Sequence, residues 1–368
     1  MSSGKKSSGP ILFLLIAAVA AGGIGWWWFS QKPADQPVAG SPKELTVLSF
    51  GGTFAEAQRE AYFAPYGKAQ NVTVKEAEYN GEYGKLKAAV QSGSVSFDVV
   101  DVESSALVRG KKENLFEPID YSVIDKSNLI PAAVDEHGVG ADIYSVSLGF
   151  NSEAFPDGGP QPSTWKDFWD VQKFPGPRAL KDDPRFTLEI ALLADGVTFD
   201  ELYAKGLDVD RALKSLDKIR PHVKLWWSSG VQPLQALESG EVKLAAAFGA
   251  RMWIMQHRDN KPVRMTWNES IADIEYFAVL KGAKSPSASM QFIAFATKAE
   301  PQAAFSKKFP LGPVNNKAFD HLDKALASKL NTHPDNLKLQ VFLDSRWWAE
   351  NEEKVSERFR EWKVTEAK

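Results

Sequence analysis

The chain has 368 residues, no cysteine and a formal net charge of −3, with 25% charged and 43% hydrophobic residues. Residues 1–43 hold four Lys against one Asp, so the remainder carries about −6, a balance that disfavours nucleic acid as a partner. Without Cys there are no disulfides, Cys-built zinc sites, thiol nucleophiles or lipid-modified N-terminal Cys. His137, His222, His257, His321 and His333 show no metal-binding spacing, so neither a metal nor a cofactor is expected.

Lys5 and Lys6 precede ILFLLIAAVAAGGIGWWWF (residues 11–29), an uncharged run that just suits a transmembrane helix. Lys on its N-terminal side predicts a cytoplasmic N-terminus and an exported body. A cleaved signal peptide is the competing reading, because Ala18-Val19-Ala20 has the small-residue character of a cleavage site. Cutting there leaves only about seven apolar residues before the site and Trp26-Trp27-Trp28 just after it. Residues 1–29 are therefore read as a signal or anchor segment, and 30–43, rich in Pro and Ala, as a flexible linker. The body that follows is too long for one ordinary domain and predicts two lobes of roughly 150 residues each.

In the body, ELTVLSF (44–50) reads as a strand ended by Gly51-Gly52, and a helical pattern follows it. NVTVKEAEY is a second strand, GEYGKLKAAVQSG a short helix and SFDVVDV a third strand. This β-α-β-α-β opening implies a parallel sheet with crossover helices, in which ligands bind at the carboxyl ends of strands. Gly51–Phe54 and Glu103–Ser105 lie at such ends. Glycine there lets backbone N–H groups approach a ligand at a helix N-terminus, although a plain tight turn needs the same residues.

Residues 138–155 are strand-rich and suit a crossing between lobes. Asp183-Pro184 opens an amphipathic helix, residues 225–256 alternate strand, helix, strand and helix, and DIEYFAVLKG (273–282) suits a return crossing. A helix pair broken at Pro301 follows, and LQVFLDSRWWAENEEKVSERFREW reads as an amphipathic helical tail lying on the second lobe. The sequence holds no GxSxG, Walker A or GxGxxG motif and no carboxylate pair singled out by spacing, which argues against an enzyme.

Taken together, LSFGGTFAEAQREAYFAPYGKA, FDVVDVESSAL, LFEPIDYSVI, STWKDFWDVQKFPGPRAL, LEIALLADGV, WWSSGVQPLQALESGEV and AEPQAAFSKKFPLGPVN resemble the extracellular solute-binding subunits of ABC importers, nearest the spermidine/putrescine-type branch. The likeness runs over residues 44–362. It implies an α/β, two-lobed periplasmic-binding-protein-like fold of type II that traps its ligand between lobes. Lobe one would be 44–142 and 277–312, and lobe two 143–276 and 313–368, with hinge crossings near 142–146 and 273–276. The partners implied are a small-molecule solute and a membrane permease, with a monomer as the default state and the periplasm as the location, tethered if residues 1–29 stay uncleaved.

By the same resemblance, Gly52, Thr53 and Phe54 match the first contact loop, and Glu103 and Ser105 the loop after the third strand. Asp183 and Glu275 match acids that meet ligand amines in polyamine binders, and Phe248 falls where an aromatic lines the cleft. Phe50 replaces a frequent Trp, and Phe186 replaces a second acid, which weakens the fit to a linear polyamine. Asp183 serves equally well as a helix cap. Tyr144 at the first crossing, and Trp227 beside Trp226, are candidates either for stacking on a ligand or for the core. Arg251 is either a bidentate clamp on a ligand carboxylate or a structural ion pair. The first role would make the solute a zwitterion, such as an amino-acid derivative or opine-like conjugate, in place of a polyamine-like amine. A membrane-tethered ligand sensor on the same fold is a further alternative.

Overall fold

The computed structural model describes residues 43–365, so the anchor-or-signal reading of residues 1–29 lies outside the described residues. Among the described residues no helix is long and apolar enough to cross a membrane.

Nine strands form the sheet: β1 (Glu44–Ser49), β2 (Thr73–Glu78), β3 (Val99–Glu103), β4 (Val139–Asn151), β5 (Arg178–Lys181), β6 (Val223–Trp227), β7 (Leu244–Phe248), β8 (Val263–Ala278) and β9 (Gln340–Phe342). Their order is β2-β1-β3-β8-β4-β7-β5-β6, with β9 added beside β8. The flanking triplets β2-β1-β3 and β7-β5-β6 are internally parallel, as strand–helix–strand crossovers require. Between them β8 and β4 run antiparallel to each other and to their outer neighbours β3 and β7.

The two central strands are long because both halves of the sheet use them. The C-terminal end of β8 pairs with β3, while β4 from Val146 to Phe150 pairs with β7. All of β4 is buried, and bulges fall at Gly140/Asp142 and at Val146/Leu148. A bulge bends and twists a strand locally, so the pair can turn from one half of the sheet to the other without breaking its ladder. Residues 273–282 were legible as a strand. The run from 263 to 272 was not, because its polar residues hide the alternation.

Two further expectations are corrected. The helix pair Pro286–Ala296 and Ala299–Lys308 breaks at Thr297-Lys298, and Pro301 sits within the first turn of the second helix, where its missing N–H does no harm. The tail begins as strand β9, and its helix, Ser345–Val364, starts only after Asp344 caps the Arg346 and Trp347 amides. That helix packs on Ser104–Lys112 as well as on Pro184–Ala194 and Val209–Ile219.

Gln302 holds the helix Ala299–Lys308 against the centre of the molecule. It is 1% exposed, and its Nε2 donates to the Tyr62 hydroxyl and to the Ala141 and Ala296 carbonyls. Its Oε1 accepts the Val314 N–H at 2.9 Å. Gln302→Leu keeps the volume but orphans a buried donor and several acceptors. It should lower unfolding stability by about 2–4 kcal/mol in a denaturant titration, and a loss under about 1 kcal/mol would contradict this role.

Candidate ligand-binding site

The carboxyl ends of β1, β3 and β7 converge, with the middle of β4 and the end of β8, on a cavity of about 160 Å³. This is small against the ~300–1,000 Å³ of drug-sized sites.

At the end of β1, Phe50, Gly51 and Phe54 form one wall. Gly52 adopts φ +70°, open to glycine at no steric penalty, and caps the helix Thr53–Gln58 without any side-chain cap. A Cβ on Gly51 would lie 2.5 Å from Glu78 Oε2, the tip of an exposed side chain that can swing away, so it is Gly52 whose backbone needs glycine. Phe50 stacks on Tyr79 at 5.4 Å, and Phe54 meets Phe305 and Phe309 edge-on at 5.4 and 5.8 Å. Phe309 and Leu311 continue this wall.

At the end of β7, Phe248, Ala250 and Arg251 form the opposite wall. Phe248 is held between Trp227 (5.5 Å) and Tyr144 (6.0 Å). The Arg251 guanidinium lies 5.8 Å from the Phe309 ring, and burial lowers its pKa. No carboxylate among the described residues lies within ion-pair distance of it, so it is a cation held at the cavity without a protein counter-charge.

The floor is acidic. Glu275 on β8 stands in register with Glu103 on β3 and with Asp142 on β4, and Asp101 and Asp273 lie two residues away on the same face. Burial pushes the Glu275 carboxyl well up, and Asp142, Asp101, Glu103 and Asp273 add to the shift. Glu275 Oε2 has no hydrogen-bond partner, nor has Asp142 Oδ1. Asp142 is also raised, by burial and by Asp101. Burial lifts Asp101 to about 7, against hydrogen bonds to its Oδ2 from Gln58 Nε2 (2.9 Å) and Ser49 Oγ (3.0 Å). Tyr144 donates its hydroxyl to Asp273 Oδ2 at 3.1 Å, and Ser145 donates to Gln340 Oε1 at 2.6 Å.

Of the residues singled out from sequence, Phe54, Glu103, Tyr144, Phe248, Arg251 and Glu275 line this cavity. Gly52 and Thr53 shape the adjoining turn, and it is Gly51 that reaches the wall. Asp183 faces protein: it accepts the Arg185 N–H at 2.9 Å as a helix cap and pairs with Lys181 at 2.9 Å. Burial would raise its pKa, but Lys181 and Arg185 hold it below the usual value. Trp227 is buried behind Phe248, donating Nε1 to the Ala246 carbonyl at 2.8 Å. Ser105 accepts a hydrogen bond from Arg185 Nη1 at 3.1 Å. Sequence reasoning missed Arg185 itself, which reaches Glu103 at 2.6 Å. It read as an ordinary first-turn residue, because nothing local announces that Arg185 is extended (ψ 137°) and Phe186 left-handed (φ 69°).

Two parallel half-sheets on a shared antiparallel pair, with one cavity between their strand ends, define a two-lobed binding protein. The family profile for bacterial extracellular solute-binding proteins matches residues 61–332, and the chain belongs to that family. A gamma-aminobutyric acid-binding protein of Pseudomonas aeruginosa is 38% identical over 324 residues, 87% of this chain and 91% of its own length. An ABC transporter substrate-binding protein from Bradyrhizobium japonicum superposes with a TM-score of 0.82 at 34% identity, covering 87% of this chain and 99% of that one. The binding protein AgtB of A. tumefaciens R10, solved with agropinic acid, gives 0.76 at 36% identity, covering 88% and 100%. The chain is thus the substrate-binding component of an ABC transporter, not an enzyme, and its partners are a small solute and a membrane permease. The resemblance to the family holds, whereas its spermidine/putrescine branch finds no counterpart in these relatives.

Asp101 supplies a stability test. Its folded pKa lies above the ordinary carboxylate value, so the folded state binds the extra proton, and stability falls as pH rises from about 4 to about 7. Asp101→Asn should lessen that slope, with Asp142 and Glu275 still contributing to it. It should stabilise the fold relative to wild type by about 1–3 kcal/mol near pH 8 and by much less near pH 4, read as the pH dependence of urea midpoints. A variant equally destabilised at both pH values would contradict the assignment.

Proposed function

We propose that this protein captures a small zwitterion, an ω-amino acid or an opine-like conjugate, and delivers it to its permease. The observation that carries this reading is the meeting of two incomplete groups in one cavity: Arg251, with no counter-ion among the described residues, and Glu275, whose Oε2 has no hydrogen-bond partner among them. Arg251 would hold a ligand carboxylate through its planar fork, and Glu275 would hold the ammonium. Phe50, Phe54, Phe248 and Phe309 would pack on the carbon skeleton between them. The relatives named for gamma-aminobutyric acid and solved with agropinic acid support this class. A linear polyamine fits less well, since a fixed guanidinium repels a second ammonium. The two halves would close by turning about residues 142–146 and 273–276, joining ligand groups held on each side.

Arg251→Ala and Glu275→Gln should each weaken binding of 4-aminobutanoate by about 30-fold or more in titration calorimetry, with the unfolding transition retained. Unchanged affinity in both would end this reading. The pH dependence follows from Glu275. Its pKa is raised in the empty site and an ammonium favours the carboxylate, so binding is coupled to proton release. Affinity should therefore strengthen as pH rises, by up to about tenfold per unit, until the empty-site pKa is passed. A fall in affinity between about pH 5 and about pH 8 would contradict it.

A further inference from the structure

We infer that Arg185 is an internal counter-cation that sets the net charge of the cavity, and thereby selects net-neutral solutes over cationic ones. The inference rests on the proposal that Glu275 and Arg251 read an ammonium and a carboxylate. Arg185 is 8% exposed, and its Nη1 lies 2.6 Å from Glu103 Oε2 while donating to Ser105 Oγ at 3.1 Å. Its other acidic neighbours are further away: Glu352 at 3.7 Å and Asp183, already taken by Lys181, at 4.0 Å. Burial works against its charge, and Glu103, Asp183 and Glu352 more than offset that.

The contact joins the two halves of the sheet, because Glu103 ends β3 while Arg185 follows β5. The backbone is bent to make it. The helix Pro184–Ala194 opens with Arg185 extended and Phe186 at φ 69°, a conformation that a buried aromatic adopts only when its surroundings impose it. Phe186 is fixed against Tyr144 at 5.9 Å and beneath Lys181 Nζ at 5.0 Å from its ring.

The charge count follows. Glu103 and Glu275 stand side by side across β3 and β8, and both line the cavity. Among these four groups, Glu103 and, once it meets a ligand ammonium, Glu275 carry two negative charges that Arg185 and Arg251 balance to zero, which suits a zwitterion. Remove Arg185 and the site is −1; remove Glu103 and it is +1. Glu103, which matches the contact loop after the third strand, is thus already engaged by Arg185.

The test compares the full-length wild type with Arg185→Gln, Glu103→Gln and the double variant, each shown to be folded by its unfolding transition. Arg185→Gln should gain at least about tenfold in affinity for 1,4-diaminobutane, and the double variant should return to within about threefold of wild type. Glu103→Gln, removing the nearest counter-charge of Arg185, should gain at least about tenfold for succinate. The reciprocal gain keeps the test decisive if Arg185→Gln fails to fold. A folded Arg185→Gln without the diamine gain, a gain that persists in the double variant, or a Glu103→Gln without the succinate gain would each overturn the inference. Failure of the wild type to bind 4-aminobutanoate would instead count against the zwitterion reading, since both gains are read on other ligands.

Discussion

Carboxylates buried where β3, β8 and β4 lie side by side constrain the rest of this protein. Glu103, Glu275 and Asp142 are brought into register by strand pairing, and Asp101 and Asp273 lie on the same face. A carboxylate far from water must be protonated, hydrogen-bonded or matched by a cation. The structure uses all three solutions within one cluster. Burial raises the pKa of Asp142, Asp101 and Glu275, hydroxyl and amide groups satisfy one oxygen of Asp101, and Arg185 neutralises Glu103. Glu275 retains an oxygen at the cavity that has no hydrogen-bond partner among the described residues, and the proposed ligand ammonium would complete the cluster there.

The same pairing would let the proposed binding site and the proposed hinge share residues. The central pair carries both half-sheets, and its bulges lie next to Asp142 and Ser147. Tyr144 and Ser145, between those bulges, face the cavity and are tied by hydrogen bonds to Asp273 and Gln340. A ligand that replaces water against these groups thus touches the segments about which the halves would turn, so its binding energy bears directly on closure.

The opposing walls owe their precision to bare backbone and to strain. Gly51 and Gly52 bring β1 to the cavity with no side chain in the way, and Phe54 then packs into an aromatic group with Phe305 and Phe309. Across the gap, the left-handed Phe186 throws Arg185 towards Glu103. Arg251, by contrast, sits in the first turn of an ordinary helix, Gly249–His257, beside the aromatic wall.

By itself the sequence determined the outline: a strand–helix alternation requiring parallel half-sheets, a glycine turn at the end of β1, and the composite of motifs that carried the family. It also supplied Glu275, through the family resemblance, and Arg251, as either a carboxylate clamp or a structural ion pair. It could not say whether Arg251 has a partner, or that Glu103 does, because ion pairing joins residues 82 positions apart, as with Glu103 and Arg185. Asp183 and Trp227 show the same limit: a cap and a core indole look like ligand contacts until their neighbours are known. The charge of the cavity was decided by tertiary structure alone. It is a sum over side chains delivered from both half-sheets, and the Arg185 contact with Glu103 comes from one bent peptide at Arg185-Phe186 that no local pattern encodes.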